Sequence, residues 1–440
     1  MKLASIAFRN ISRNRRRSVL SGTAIGLATL VIVFMFSYIG GIKTDMAQNA
    51  FIYDSGHIRI RHKDYDRFET LNPLHLGVTS YRNVITSLEP VENVFLVLPR
   101  IRFGTAIYRK EENYRGLGMG IDFSREVRLN GNKERKTVTE TQYNRMSGEQ
   151  RMEAFASSWD LTQFEGKIPE AGTRQILLAV GLAEELGLGI GDKVTFYTKT
   201  AYMGMQAWTF QVAGIVRFPI QGLNQQLFLA PLDSVQRFLK MDSAGDSVTD
   251  ILIYLEDQAK LKETAQRVAD ALKAEGFADL VVQPWTSVGM SYAWMQMAEQ
   301  IYNFVALFFF ILGSTVIVNT TMMVIYERMK EIGTVAAMGM TGGEIMKLFF
   351  LEAFFISLMA SFIGTAIGIG ITIIFSVHGI DLSAALGGTD LTISPIIYPV
   401  LNIQSTVFVF LYSVAVASLA SLLPTRKAAK IEPVEALRAT

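Results

Sequence analysis

Apolar residues are concentrated in four long stretches of the chain, and polar and charged residues dominate the rest. The stretches are 19–42, 301–325, 348–377 and 400–423, and Glu352 is the single charged residue inside them. A hydrocarbon core about 30 Å thick requires about 20 helical residues, and each stretch is at least that long. The sequence therefore predicts four transmembrane helices, with most of the chain outside the membrane.

The first apolar stretch follows an arginine-rich segment, which is also typical of a secretory signal peptide. Its apolar run is much longer than that of a signal peptide, and no Ala-x-Ala-like site follows it. We therefore expect a retained helix. In the preceding tail, 1–18, Lys2, Arg9, Arg13 and Arg16 share one helical face, which predicts an amphipathic helix lying on anionic lipid.

Basic residues in the short loops indicate the orientation of the chain. Thirteen Lys and Arg residues lie in the N-terminal tail, the 326–347 loop and the 424–440 tail, whereas the 378–399 loop has none. Cytoplasmic loops carry an excess of Lys and Arg. The sequence predicts that both termini and the 326–347 loop are cytoplasmic, and that the segment 43–300 is external.

The segment 43–300 has the composition of a soluble α/β domain. Five stretches alternate polar and apolar residues or are rich in β-branched ones, as strands are. They are 57–61, 94–98, 209–216, 250–255 and 279–283. Residues 176–188 predict a strand or turn leading into a short helix, and apolar residues at helical spacing predict a helix over 257–275. The polar segment 124–160 is predicted to be an insertion or a mobile loop.

Composition and motifs exclude several function classes. The mean hydropathy of +0.27 argues against an all-soluble protein, and a net charge of +2 gives no basic surface for nucleic acid. The 440 residues include no cysteine, no GxxxxGK[ST] phosphate loop, no GxSxG elbow and no HExxH motif. His57 and His62 lie five residues apart in a predicted strand and would face opposite sides. We expect a non-catalytic chain without its own cofactor or metal site.

The cytoplasmic 326–347 loop carries the most informative local pattern. It contains YERMKEIGTVAAMGMTGGE, in which Gly339 is placed to end a short helix. Thr341 and Glu344 match a capping box that would begin the third transmembrane helix. The pattern predicts a short helix along the membrane surface on which a partner could push. The alternative is a tight connector, for which fewer residues would suffice.

Other residues of the transmembrane helices suggest packing more than transport. Glu352 lies five residues after Lys347, so it is either paired near the interface or involved in coupling. Small residues at helix-packing spacing occur in three helices: Gly22 and Gly26, Gly364 and Gly368, and Ser413, Ala417 and Ser421. Neither an inverted repeat nor a pair of broken helices marks a midplane substrate site.

Apolar stripes continue two of the helices beyond the membrane. Tyr38, Ile42 and Met46 follow one another at steps of four residues, and a second stripe consists of Met290, Trp294, Met297 and Ile301. Methionine is unbranched and polarizable, which suits varied acyl chains. The stripes predict an acyl-chain slot just above the outer leaflet, or alternatively plain helix packing at the interface.

Several segments resemble the FtsX-like permease family of bacterial ABC transporters. They are IAFRNISRNRRRSVLSGTAIGLA at the N-terminus, ERMKEIGTVAAMGMTGGEIMKLFFLEAFFISLMASFIGTAIG, and LLPTRKAAKIEPVEALR at the C-terminus. ILLAVGLAEELGLGIGDKVTF and FQVAGIVRF are similar to the family's MacB-like domain. Among subfamilies, the lipoprotein-releasing permeases of the LolC/LolE type are similar in length and in lacking a fused ATPase.

The resemblance implies a mechanotransmission permease in a bacterial inner membrane. A separate ABC ATPase would bind ATP and Mg and push on the residues Glu327, Arg328, Lys330, Glu331, Ile332 and Val335. The expected partners are that ATPase, a second permease in a homo- or heterodimer, membrane lipid, a lipoprotein substrate and a periplasmic carrier. Extraction of lipoproteins or lipids from the outer leaflet is the leading hypothesis. Efflux with a periplasmic adaptor and regulation of an envelope enzyme are the alternatives.

Overall fold

The computed structural model of the chain describes most of its 440 residues. The described residues are 7–9, 11, 15–109, 112–129, 140–242, 246–327, 329–383 and 394–428. The predicted amphipathic tail and the C-terminal tail therefore lie largely outside them. The chain divides into two compact units. A helical unit comprises Met1–Thr44, Trp294–Asp381 and Ile396–Thr440, and an α/β unit comprises Asp45–Ala293 and Leu382–Pro395.

Helices make up most of the first unit and are interspersed with strands in the second. Helix α1 (Arg15–Asn49) is followed directly by a π-helical stretch, Ala50–Ser55. The α/β unit contains α2 (Tyr81–Leu88), α3 (Phe123–Glu126), α4 (Glu140–Arg145), α5 (Gly148–Ser158), α6 (Val180–Leu186), α7 (Gln221–Gln226), α8 (Leu232–Leu239) and α9 (Leu261–Ala274). The later helices are α10 (Gly289–Glu327), α11 (Met329–Ala337), α12 (Gly342–His378), α13 (Ile403–Ala420) and α14 (Leu422–Ala428).

Four helices within the described residues are long and apolar enough to cross a membrane. They cover Ser18–Ser55, Met295–Glu327, Gly342–His378 and Ile403–Arg426. The prediction of four transmembrane helices, with a large α/β domain between the first and the second, is therefore confirmed.

Ten strands of the α/β unit form one mixed sheet. They are β1 (Ile58–His62), β2 (Val94–Arg109), β3 (Glu112–Ile121), β4 (Gln163–Gly166), β5 (Gln175–Ala179), β6 (Lys193–Lys199), β7 (Met205–Arg217), β8 (Leu227–Pro231), β9 (Asp250–Leu255) and β10 (Leu280–Pro284). The sheet order is β10-β1-β9-β2-β3-β8-β5-β7-β4, and β6 pairs with both β2 and β7. Two short strands, β11 (Ile380–Asp381) and β12 (Ile396–Ile397), pair separately.

The predicted strands and the long helix of this domain are confirmed. Strand β9, helix α9 and strand β10 form the expected strand–helix–strand unit, with β1 antiparallel between the two strands. Helix α9 buries Ala265, Val268 and Leu272, which are spaced to lie on one helical face. The 176–188 segment is strand β5 followed by helix α6, which ends at Gly187 in the left-handed region (φ 59°).

The expectation that 124–160 is an insertion or mobile loop is wrong for the residues of it that the structure describes. Phe155 and Trp159 are fully buried in a cluster with Tyr53 and Phe218. Phe155 lies on α5, and Trp159 follows the C-terminal end of that helix, one turn later. The two rings are stacked, with their centroids 5.6 Å apart. A few large side chains therefore hold this segment in the core although its average composition is polar, because each buried aromatic side chain removes a large apolar area from water.

Small residues bring the helices of the first unit close together. A Cβ atom on Gly364 would lie 2.2 Å from the carbonyl oxygen of Gly26, and one on Gly22 would lie 3.7 Å from Ala360. Ala417 on α13 packs with Ile25 of α1 and Ala360 of α12. The small residues predicted to pack helices therefore do so in α1, α12 and α13.

Candidate functional site

The segment between the second and third transmembrane helices is a separate short helix with a defined end at each side. Helix α11 is followed by Gly339, whose φ of 101° is accessible to glycine at little cost and whose N–H donates to the carbonyl of Ala336 at 3.0 Å. The Thr341 side chain accepts the N–H of Glu344, and the Glu344 carboxylate accepts the N–H of Thr341 at 2.9 Å. The predicted capping box is present, and it begins α12 as a new helix.

One side of α11 is packed against the helices that flank it. Ile332, Ala336 and Met340 contact a small core of Ile325, Ile345 and Phe349. Lys330 and Thr334 lie on the exposed side. This packing fixes α11 against the ends of α10 and α12, so that a force applied to its exposed side would reach both helices.

The predicted coupling residues are placed differently around this helix. Glu327 and Lys330 are exposed, whereas Ile332 points into the small core and so acts as an anchor of the helix. Arg328 and the side chains of Glu331 and Val335 lie outside the described part. Sequence reasoning missed Met338, which is 75% exposed just after α11. The signal that could have found it in the sequence is an apolar residue within a turn rich in glycine.

Glu352 and the predicted acyl-chain stripes lie on the long helices. Glu352 is half-buried on α12. In the first stripe Tyr38 and Ile42 are half-buried and Met46 is buried. In the second, Met297 and Ile301 are 46% and 52% exposed, whereas the side chains of Met290 and Trp294 lie outside the described part.

A second site lies in the α/β unit, where the chain leaves α1 and enters the sheet. We call residues 51–54, in the π-helical stretch, the joint segment. The Tyr254 hydroxyl donates to the carbonyl of Phe51 at 2.7 Å, and Arg100 Nη1 donates to the carbonyl of Ile52 at 2.6 Å. The Tyr53 hydroxyl donates to the carbonyl of Trp159, and Arg102 Nη1 contacts Asp54 Oδ1 at 2.5 Å.

A fully buried ion pair fixes the arginine that holds Ile52. Arg100 binds both carboxylate oxygens of Glu126, with Nε–Oε1 and Nη2–Oε2 distances of 2.7 and 2.8 Å. The Trp159 indole N–H donates to Glu126 Oε2 at 3.2 Å, and its ring lies 4.8 Å from the Arg100 guanidinium carbon. Both charges are buried at the centre of the domain.

The pKa directions follow from this burial. Burial raises the pKa of the Glu126 carboxyl, and the guanidinium of Arg100 partly opposes that rise. Burial alone would lower the pKa of Arg100, but the Glu126 carboxylate raises it above its ordinary value. Burial also disfavours charge on Asp250, but Arg61 and the neighbouring Arg102 reverse this and lower the pKa of Asp250 to about 2. Asp250 is thus ionised at neutral pH.

Comparison with known proteins matches two long segments of the chain to two family models. Residues 303–433 match the FtsX-like permease C-terminal family, and residues 18–271, more than half of the chain, match the MacB-like periplasmic core domain. The chain belongs to the FtsX-like permeases with a MacB-like domain. The resemblance stated from the sequence is thereby confirmed, and this permease is an ABC transporter permease of the LolC and MacB type.

Individual relatives are distant. The lipoprotein-releasing system transmembrane protein LolC of Neisseria meningitidis is 25% identical to the permease over 307 residues, which cover 66% of this chain and 71% of LolC. The macrolide export ATP-binding/permease protein MacB 2 of Yersinia pestis is 24% identical over 189 residues, which cover 42% of this chain and 26% of that protein. The periplasmic region of MacB from Actinobacillus actinomycetemcomitans aligns at a TM-score of 0.32 and 13% identity, over 55% of this chain and 92% of that one.

Among the described residues, no group of three or more His, Asp or Glu residues is placed to hold a metal ion. The two sites built from side chains of the permease are a docked helix, α11, and a rigid joint at the end of α1. Both are suited to passing a displacement from one part of the chain to another.

Proposed function

We propose that this permease is the membrane subunit of an ABC transporter that extracts lipoproteins or lipids from the outer leaflet of a bacterial inner membrane. A separate ATPase, which would bind ATP and Mg, provides the energy and docks on α11. Both termini and α11 are cytoplasmic, and the α/β domain is external. The observation that carries this proposal is the match to LolC across 66% of the chain.

The exposed side of α11 is the proposed ATPase contact. Glu327, Arg328, Lys330, Glu331 and Val335 provide a charged rim with an apolar residue, as in many protein interfaces. Met338 is the exposed apolar side chain that the structure adds to this set. Ile332 instead holds α11 against α10 and α12, so that ATPase closure moves the transmembrane helices.

Reconstitution tests this function directly. The permease, the ATPase encoded beside its gene and a second permease, if one is encoded there, are placed in proteoliposomes with a dye-labelled acylated lipoprotein. We expect ATP-dependent transfer of the lipoprotein to a soluble periplasmic carrier. Release that does not depend on ATP, or hydrolysis of ATP by the permease alone, would contradict the proposal.

Three substitutions separate ATPase docking from folding. Met338→Asp and Glu331→Lys should weaken ATPase binding at least about tenfold, as loss of an interface hot spot does, without changing the melting temperature. Ile332→Asp should lower the melting temperature, because a carboxylate would enter the small core beneath α11. Unchanged ATPase affinity in the first two variants would exclude α11 as the docking site.

Efflux with a periplasmic adaptor is a second candidate, favoured by the match to MacB over 42% of the chain. In the same vesicles, efflux predicts ATP-dependent movement of a small amphiphile and no transfer of lipoprotein. Regulation of an envelope enzyme is the third candidate, for which we would expect a domain much smaller than the α/β unit.

A further inference from the structure

Four consecutive residues of the joint segment are each bound by a residue of strand β2, strand β9 or the end of α5. Tyr254 on β9 holds Phe51, Arg100 and Arg102 on β2 hold Ile52 and Asp54, and the residue after α5 accepts the Tyr53 hydroxyl. Two of these bonds end on backbone carbonyls, so the path of the main chain itself is fixed.

The chain segment that leaves the domain is tied to the same place. Phe51 packs edge-on against Trp285 at 5.2 Å, and Trp285 donates its backbone N–H to the carbonyl of His57 at 3.0 Å. Trp285 follows β10 and lies shortly before α10. The segment that enters the domain, with Phe51, and the segment that leaves it, with Trp285, therefore meet in one hydrophobic cluster. This cluster also contains Leu96 and Tyr254.

The ion pair beneath the joint segment has the character of a positioning device. Desolvation makes a fully buried ion pair a poor source of stability, and apolar replacements are often as stable. A bidentate carboxylate does, however, fix the plane of a guanidinium. Nε and Nη2 of Arg100 donate to the Glu126 carboxylate, which fixes the plane of the guanidinium. Nη1 of Arg100 is therefore directed at the carbonyl of Ile52.

We propose that residues 51–54 are the rigid joint through which displacement of α1 is passed to the α/β domain, with Arg100 and Glu126 as its positioning residues. The inference rests on the proposed function, in which ATP drives the transmembrane helices. A loose connection at this point would absorb the displacement of α1, and ATP would be hydrolysed without moving the domain. A π-helical stretch, which often marks functional sites in helices, lies at the point of attachment.

The absence of cysteine makes the test direct, because spin labels attach only at introduced sites. One label replaces Lys262, exposed on α9, and the other replaces Val377, exposed at the end of α12. Their distance distribution is measured by pulsed electron paramagnetic resonance in the reconstituted complex, with and without ATP. The double variant Arg100→Met/Glu126→Met removes both charges together, so that neither is left buried and unpaired.

The wild-type complex should show a distance change on adding ATP, and the double variant should lose it along with lipoprotein transfer, while ATP hydrolysis persists. Gln236→Met is the matched control, since Gln236 is buried in the same domain but donates to Asp246 and to the carbonyl of Ser247, outside the joint segment. We expect this control to keep the distance change. Loss of the change in the control as well would overturn the proposal.

A second variant guards against misfolding of the first. Tyr53→Phe/Tyr254→Phe deletes two hydroxyl groups that hold the joint segment and leaves the aromatic packing in place. It should also reduce the distance change. If both joint variants kept the full ATP-dependent change in label distance, the joint proposal would be wrong and the proposed function would stand. No change in the wild-type complex would instead contradict the proposed function.

Discussion

At the scale of single residues, His57 shows how burial sets a protonation state. The backbone N–H of Leu255 donates to His57 Nδ1 at 2.9 Å, so the neutral ring carries its proton on Nε2. The ring also packs edge-on against Phe51 at 4.4 Å. Burial lowers the pKa of His57 from 6.5 to about 4, because a charged ring would lose water and the bond from Leu255.

This pKa predicts a loss of stability on acidification. Between pH 6.5 and about 4 the unfolded chain binds a proton at His57 and the folded chain does not, so the free energy of unfolding falls as pH falls. The loss should reach about 3 kcal/mol at the acid end. Melting temperatures of the purified permease, measured from pH 7 to 4.5, should show it.

His57→Asn is the comparison for this prediction, since its side-chain oxygen can accept the Leu255 N–H without titrating. The variant should lose less stability on acidification over the same range. Asp250, with its pKa near 2, contributes to stability loss only below about pH 4, outside this window. Parallel pH profiles for the two proteins would show that His57 is not the group responsible.

At the scale of elements, contact between α1 and α12 depends on glycine at one position. Gly364 has no room for a side chain, because its Cβ atom would lie 2.2 Å from the carbonyl of Gly26, whereas Gly370 on the same helix has nothing within 4 Å of such an atom. Close approach of this kind is what small residues allow in membranes. The two glycines therefore form a matched pair for substitution.

We predict that Gly364→Val separates α1 from α12 and that Gly370→Val does not. The first change should destabilise the helical unit by about 2 kcal/mol or more, since overpacking forces the backbones apart. Thermal unfolding in detergent, followed by size-exclusion chromatography, measures both. Equal melting temperatures for the two variants would mean that the close contact contributes little.

The helix ends and the polar segment 124–160 show which local signals were sufficient. Gly339, Thr341 and Glu344 were assigned correctly because a cap depends on residues within one helical turn. For 124–160 the average polarity was misleading, since Trp159 finds ring partners more than fifty residues away, at Tyr53 and Phe218.

At the scale of the whole molecule, the α/β unit has a core and a sheet of its own. Its larger apolar cluster joins strands β1, β2, β5–β9 and helices α2, α6, α8 and α9. We predict that a fragment of residues 46–284 is soluble and melts cooperatively, as an independent domain should. Circular dichroism and size-exclusion chromatography measure both properties.

A shorter fragment, 58–284, provides the comparison. It lacks Phe51 and Tyr53, which fill gaps in two clusters of the domain, and it leaves the Arg100 guanidinium without its Ile52 partner. We expect a lower melting temperature than that of 46–284. Aggregation of both fragments would contradict the independence of the domain, and equal stability would contradict a structural contribution from the joint segment.

The sequence by itself determined the four transmembrane helices, the large α/β domain, the capped helix α11 and the family. These features depend on local periodicity, on hydrophobic length and on short motifs, all of which can be read within a window of a few turns or strands. The loop charges likewise predict the orientation of the chain.

Only the tertiary structure decided which residues meet across long distances in the chain. Arg100 and Glu126 show no sign of pairing in the sequence, and neither do Gly26 and Gly364. Charged and small residues have many potential partners, and the fold selects one by bringing distant elements together. The joint at the end of α1 could not be predicted for that reason: its donors come from β2 and β9 and its one acceptor from the end of α5, and only the packed sheet places them around the same four residues.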